Sequence, residues 1–83
     1  MAAPERVILL VRAGCHLCVE AVAVVERVCA ALGVSWRQVD VDTDPALRTA
    51  YTDHVPVTLV DGREHARWFV DPARLADVLS AGG

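Results

Sequence analysis

The sequence predicts an α/β fold: a four-stranded mixed sheet flanked by helices, with elements in the order β-α-β-α-β-β-α. Three observations predict it. A wholly apolar, β-branched run, Val7-Ile8-Leu9-Leu10-Val11, gives way after Arg12-Ala13-Gly14 to a helical pattern. Two strand-like runs later in the chain are separated by Asp61-Gly62, a hairpin signal. Asp44-Pro45 and Asp71-Pro72 each join a helix cap to a proline suited to the first helical position.

The elements follow in order. The run Val7 to Val11 has the character of a strand covered on both faces, as in a parallel sheet. From Cys15, the residues Cys18, Val22, Val25, Cys29 and Leu32 fall at offsets of three and four, one apolar stripe of a helix that Gly33 stops. Val34 to Val41 predicts a second strand, with Val39 and Val41 on one face and Trp36 and Gln38 on the other. Ala46 to Thr52 predicts a short helix, Val57 to Val60 a third strand, about Glu64 to Val70 a fourth, and Ala73 to Leu79 the last helix. A helix between the first two strands makes them parallel, with a right-handed crossover. The chain, 1–83, is expected to be a single domain with residues 79–83 frayed.

Composition narrows the function classes. The chain has 83 residues, of which 54% are hydrophobic and 23% charged, as a folded core requires. A chain this short buries only roughly 60–65% of its unfolded surface. The net charge of -3 supplies neither the basic stripe of a nucleic-acid binder nor a polybasic membrane patch. The longest stretch without a charge, Val28 to Trp36, falls far short of a bilayer span, and Met1 to Arg6 does not resemble a signal peptide. The expectation is therefore no nucleic acid, no membrane, cytoplasmic residence and a monomer. In that compartment a standing structural disulfide is disfavoured, and cysteine pairs lean toward catalysis or metal binding.

Cys15 and Cys18 carry the chemistry. Spacing alone leaves three readings: a redox pair, half of a metal site, or small apolar fillers. Placement favours the first. Cys15 falls at the start of a helix, where free N–H groups and the helix dipole favour a thiolate, the nucleophile of disulfide exchange. Cys18 lies one turn deeper on the same side and is the candidate resolving thiol. His16, between them, would favour the thiolate further if protonated. Zinc wants four ligands, and the remaining candidates are Cys29, His16, His54 and His65; Cys29 lies on the core stripe and is expected to be a buried apolar residue. Val55-Pro56 stands just ahead of the third strand, where position alone suits an ordinary trans proline. With the CxxC it resembles thioredoxin-type domains, which carry a cis proline there, and that resemblance implies a cis bond that shapes substrate approach.

Several pieces, in order along nearly the whole chain, carry a resemblance: Gly14-Cys15-His16-Leu17-Cys18, then Val39-Asp40-Val41-Asp42 with Asp44-Pro45, then Val55-Pro56-Val57, and finally Trp68-Phe69 before Asp71-Pro72-Ala73-Arg74-Leu75. They resemble the glutaredoxin-like family of small thioredoxin-fold proteins, in particular the short group with a Gly-Cys-His-Leu-Cys signature. The resemblance implies a thioredoxin-like fold and a thiol–disulfide oxidoreductase, with Cys15 as nucleophile, Cys18 as resolving thiol, and Arg12, His16, Leu17, Val55 and Pro56 meeting substrate. Its substrates would be disulfide-containing proteins or glutathione mixed disulfides. No bound cofactor is implied; glutathione or a flavin thioredoxin reductase would donate electrons. The chain departs from better-known glutaredoxins, which have Pro-Tyr in place of His16-Leu17, Thr in place of His54, and Gly-Gly in place of Val70-Asp71.

Two other functions fit the residues. Ala13 to Cys18 ahead of a helix also resembles copper chaperones, whose thiolates select Cu(I), although those carry a methionine where Ala13 stands. A non-enzymatic domain binding an extended peptide at the strand edge near Pro56 is the other. Trp36 and Trp68 are expected to pack, His54 and His65 to be solvated, and Asp40, Asp42 and Asp44 to act as caps and loop residues.

Overall fold

The computed structural model describes residues 5–51 and 53–81. Its elements are β1 (Val7–Val11), α1 (His16–Leu32), β2 (Trp36–Asp40), a single 3-10 turn (Val41–Thr43), α2 (Pro45–Tyr51), β3 (Val57–Val60), β4 (Arg63–Arg67) and α3 (Pro72–Ala81). The sheet order is β2-β1-β3-β4. β1 runs parallel to β2 and antiparallel to β3, and β3 and β4 form an antiparallel hairpin. The mixed sheet and element order match the expectation.

β1 is apolar throughout because it lies inside the sheet with side chains leaving both faces. Val7, Leu9 and Val11 pack with Val25 and Cys29 of α1 and Leu75 and Leu79 of α3. Leu10 points the other way, into a smaller cluster with Val41 and Val57. The two faces of β2 divide as predicted: Trp36 packs against the first cluster and Val39 against the second. The Asp61-Gly62 turn has φ of 52° and 82°, the paired left-handed geometry of a two-residue hairpin. Arg6 sets its guanidinium on the Asp61 carboxylate at 3.0–3.1 Å and donates to the Leu79 carbonyl at 3.0 Å, fastening β1, the hairpin and α3 together.

Several details differ from the sequence reading. In α1, Ala21 and Val28 complete the buried arc, Val22 sits at its margin, and Leu32 is 41% exposed. β2 gives up Val41 to the 3-10 turn, which Asp40 caps by accepting the Asp42 N–H at 2.9 Å; Val41 stays buried. β4 stops at Arg67 because Trp68 takes φ 63°, outside strand geometry. α3 runs from Pro72 to Ala81, beyond the predicted end at Leu79, which is buried. Residues 82–83 of the tail expected to fray, like Thr52 of the predicted second helix, lie outside the described residues.

Candidate active site

The chain leaves β1 at Arg12 and turns through Gly14, whose φ of 76° suits glycine. The Cys15 N–H closes this turn on the Arg12 carbonyl at 3.3 Å. Cys15 is then the N-cap of α1, with extended φ and ψ of -87° and 113°. Its sulfur accepts the Cys18 N–H at 3.1 Å, taking the place of the usual capping oxygen. No acidic residue stands in the first turn to oppose negative charge there. The two cysteines are joined as a disulfide, with Cα atoms 5.2 Å apart. Cys15 is partly accessible, whereas Cys18 is 4% exposed.

Two depressions flank this turn, on different faces of α1. The larger, about 330 Å³, is lined by Arg12, Cys15, His16, Cys18, Val19 and Gln38, among others. It brings together four of the seven residues singled out from the sequence. The smaller, about 110 Å³, is lined by Leu17 with Glu20, Val24, Trp68, Phe69 and Val70. Arg12 is held by Asp42, Nε to Oδ2 at 3.2 Å, and the same carboxylate takes Arg48 at 3.3 Å. Asp42 is therefore an ion-pair partner rather than a loop cap, while Asp40 and Asp44 do cap, Asp44 accepting the Ala46 N–H at 2.9 Å.

The Val55-Pro56 bond is cis, as the resemblance to thioredoxin-type domains implied. Val55 packs against the same cluster as Cys15 and Cys18. Pro56 itself is buried, and its carbonyl accepts the Trp68 N–H at 2.7 Å, so the strand edge expected to lie open at Pro56 is taken by the chain's own backbone. The open groups are those of Val55, whose N–H and C=O have no hydrogen-bond partner among the described residues.

Three expectations about aromatic and imidazole side chains are corrected here. Trp68 is not packed away: it is 45% exposed, its Nε1 donates to the Asp53 carbonyl at 3.4 Å, and its neighbour Phe69 is 70% exposed. His54 is half-buried against Trp68, ring centroids 6.2 Å apart, with Nδ1 shielded and unpartnered. His65 is half-buried, and burial together with the Arg74 guanidinium pushes its pKa down. Trp36 does pack against the core, and Cys29 is buried at 1% exposure, where desolvation pushes its thiol pKa up. Among the described residues no three or more His, Cys, Asp or Glu gather as a metal site would require, and no helix is long and apolar enough to cross a membrane.

The part of the site not visible in the sequence is Asp42, Gln38, Trp68 and Phe69. The Arg12–Asp42 contact spans 30 positions and has no local signature. Trp68-Phe69 did have one: two adjacent aromatics in a chain only 5% aromatic.

Comparison with known proteins agrees with this geometry. The family model described as a glutaredoxin-like domain (DUF836) matches residues 6–80. An uncharacterized protein of Mycobacterium tuberculosis (strain H37Rv) is 42% identical over 76 residues, covering 84% of this chain and 78% of the relative. A structural-genomics target protein from X. campestris, solved by X-ray diffraction, superposes with a TM-score of 0.73 at 37% identity, covering 90% of this chain and 96% of that one. A mutant thioredoxin from Halobacterium salinarum superposes with a TM-score of 0.63 at 27% identity, over 93% of this chain and 74% of that one. The fold is thioredoxin-like.

Proposed function

The chain belongs to the glutaredoxin-like domain family (DUF836), and from that premise we propose that it is a thiol–disulfide oxidoreductase working by a dithiol mechanism. The observation that carries this reading is the position of Cys15: an accessible N-cap whose sulfur accepts a backbone N–H and sits at the end of a helix where negative charge is favoured.

In the reduced protein, the Cys15 thiolate attacks one sulfur of a substrate disulfide. The substrate S–S bond breaks, a Cys15–substrate mixed disulfide forms, and the departing thiolate takes a proton from solvent. Cys18, deprotonated in turn, attacks the Cys15 sulfur. The second substrate thiol leaves, and the Cys15–Cys18 disulfide holds the oxidised state. Two electrons have moved from the dithiol to the substrate. The deeper burial of Cys18 supports this division, because an external disulfide meets Cys15 first. Val55, whose N–H and C=O have no partner among the described residues, offers them to the backbone of a substrate held beside the pair. Arg12, His16 and Gln38 line the accessible cavity, with Arg12 oriented by Asp42. The oxidised pair is reset by glutathione or by a flavin thioredoxin reductase.

An equilibrium titration in glutathione redox buffers, with free thiols counted by mass, tests the reading. A reversible two-electron transition confined to Cys15 and Cys18, with Cys29 unchanged, is the expected result. Cys15→Ser abolishes disulfide reduction, and Cys18→Ser accumulates mixed disulfides. A Cys15→Ser protein that keeps dithiol activity overturns the assignment of roles, and a pair that never forms a reversible disulfide overturns the function.

A further inference from the structure

Trp68 combines features that folding alone does not reconcile. It is a bulky residue with φ 63°, a left-handed conformation that costs energy for any side chain with a Cβ. Burial of the indole would offset that cost, yet the residue is 45% exposed. The conformation is held by two hydrogen bonds, N–H to Pro56 and Nε1–H to Asp53, and by the His54 ring. Phe69, beside it, is 70% exposed. Two of the four aromatic residues of the chain therefore stand together at the surface, an arrangement usual at interaction sites and unusual elsewhere.

The notch they form with Leu17, Val24 and Val70 measures about 110 Å³. That is well below the roughly 300–1,000 Å³ of small-molecule sites, and suits a single side chain. Neither cysteine lines it, but Leu17, which does, lies between them in sequence at the start of α1. The one charged residue lining the notch is Glu20, which is exposed and makes no ion pair among the described residues. An anionic ligand such as oxidised glutathione would bring carboxylates toward Glu20; a lysine or arginine would meet an unpaired partner.

We propose that the Trp68–Phe69 notch is a docking site for a protein substrate, taking one apolar side chain of a segment whose adjoining basic residue meets Glu20 and whose cysteine is presented to Cys15. This rests on the oxidoreductase reading for its consequence, but the notch has its own test. The occupant is a polypeptide because the notch holds one side chain, Leu17 of its lining neighbours both cysteines in sequence, and Glu20 offers a carboxylate to a basic residue beside that side chain.

The probes are two disulfide-linked peptide dimers, one of an N-acetylated Phe-Lys-Cys amide and one of an N-acetylated Ser-Glu-Cys amide. Reduction of each by the reduced protein is compared within each variant. Wild type is expected to prefer the first by about tenfold, the scale of one buried aromatic anchor. Trp68→Gly, in which glycine accepts the positive φ without cost, and Phe69→Ser, at an exposed position, are expected to bring the ratio near one. Val78→Ser, on α3 away from the notch, is the control that keeps the preference. Equal rates for the two dimers in wild type overturn the proposal while leaving disulfide reduction standing. The second arm uses the S-methylated Phe-Lys-Cys peptide, which cannot react, with the Trp68 indole N–H followed by NMR. A peptide-dependent shift in a protein that reduces neither dimer keeps the notch and removes the oxidoreductase reading; no shift, with no preference, removes the notch.

Discussion

At the scale of single residues, one helix start separates three cysteines of one chemical type into three environments. Cys15 caps the helix and is accessible, Cys18 is one turn in and buried, and Cys29 is deep on the core face with its thiol held protonated by desolvation. The differences follow backbone position along α1: its N-cap, its first turn and its core face. A second residue-scale consequence lies at His65, on β4. Burial, and to a smaller degree Arg74, disfavour its protonated form, so its folded-state pKa lies below the unfolded value. Between those two values the unfolded chain holds a proton that the folded chain does not. The contribution to stability is therefore complete above the ordinary imidazole value and is lost as pH falls through the lowered one. Urea midpoints measured from about pH 7.5 to about pH 5 should fall for the wild type and fall less for His65→Gln, the window being set by the ordinary histidine pKa. Parallel curves for the two proteins would show that His65 does not couple to folding.

At the scale of elements, the helices begin and end where particular side chains meet the backbone. Asp44 and Asp71 each precede a proline and each turn a carboxylate back onto the new helix. Asp71 Oδ1 accepts the Ala73 N–H at 2.9 Å and the Arg74 N–H at 3.3 Å. α1 differs because its cap is the cysteine sulfur itself, so the element that positions the site is started by the group proposed to react. Its other end is closed by Gly33 at φ 67°, with N–H groups returned to the last carbonyls. α3 depends on Asp71 because it buries only Leu75 and Leu79 and has no basic residue in its last turn. Asp71→Ala should therefore cost about 1 kcal/mol, the usual worth of an N-cap carboxylate, read as a lower urea midpoint with an unchanged denaturant slope. An unchanged midpoint would mean that burial of Leu75 and Leu79 fixes α3 without its cap.

At the scale of the whole molecule, what was legible in the sequence was whatever depends on neighbours along the chain. The apolar run of β1, the offsets of α1, the Asp61-Gly62 turn and the two Asp-Pro caps are local signals, and the element order followed from them. The CxxC pair was legible because its chemistry needs a helix start, whereas the cis bond at Val55-Pro56 came from the family resemblance, since a proline before a strand is ordinarily trans. The remainder depends on distant contacts. Arg12 finds Asp42 only when β1 and β2 lie side by side, and β4 ends at Arg67 because Trp68 turns to reach Pro56 and Asp53. The same long-range architecture divides the sheet unequally. One face carries α1 and α3 on a core of eleven buried residues; the other carries the 3-10 turn and α2 on Leu10, Val41 and Val57. α2 buries no residue of its own and is fastened mainly by partial contacts of Leu47 and Tyr51 and by the exposed Arg48–Asp42 pair, and exposed pairs contribute little. Its backbone hydrogen bonds should therefore open far below the free energy of global unfolding, whereas those of β1 and β3 should open only with the whole domain. Amide hydrogen exchange followed by NMR checks this directly: Leu47 to Tyr51 should exchange orders of magnitude faster than Val7 to Val11. Because the His54 N–H bonds the Tyr51 carbonyl at 2.8 Å, opening of α2 would let the His54-Val55-Pro56 segment adjust while leaving the helix start that holds Cys15 fixed. Equal protection of α2 and β1 would instead make the segment before Pro56 as rigid as the core, and substrate would have to fit it without adjustment.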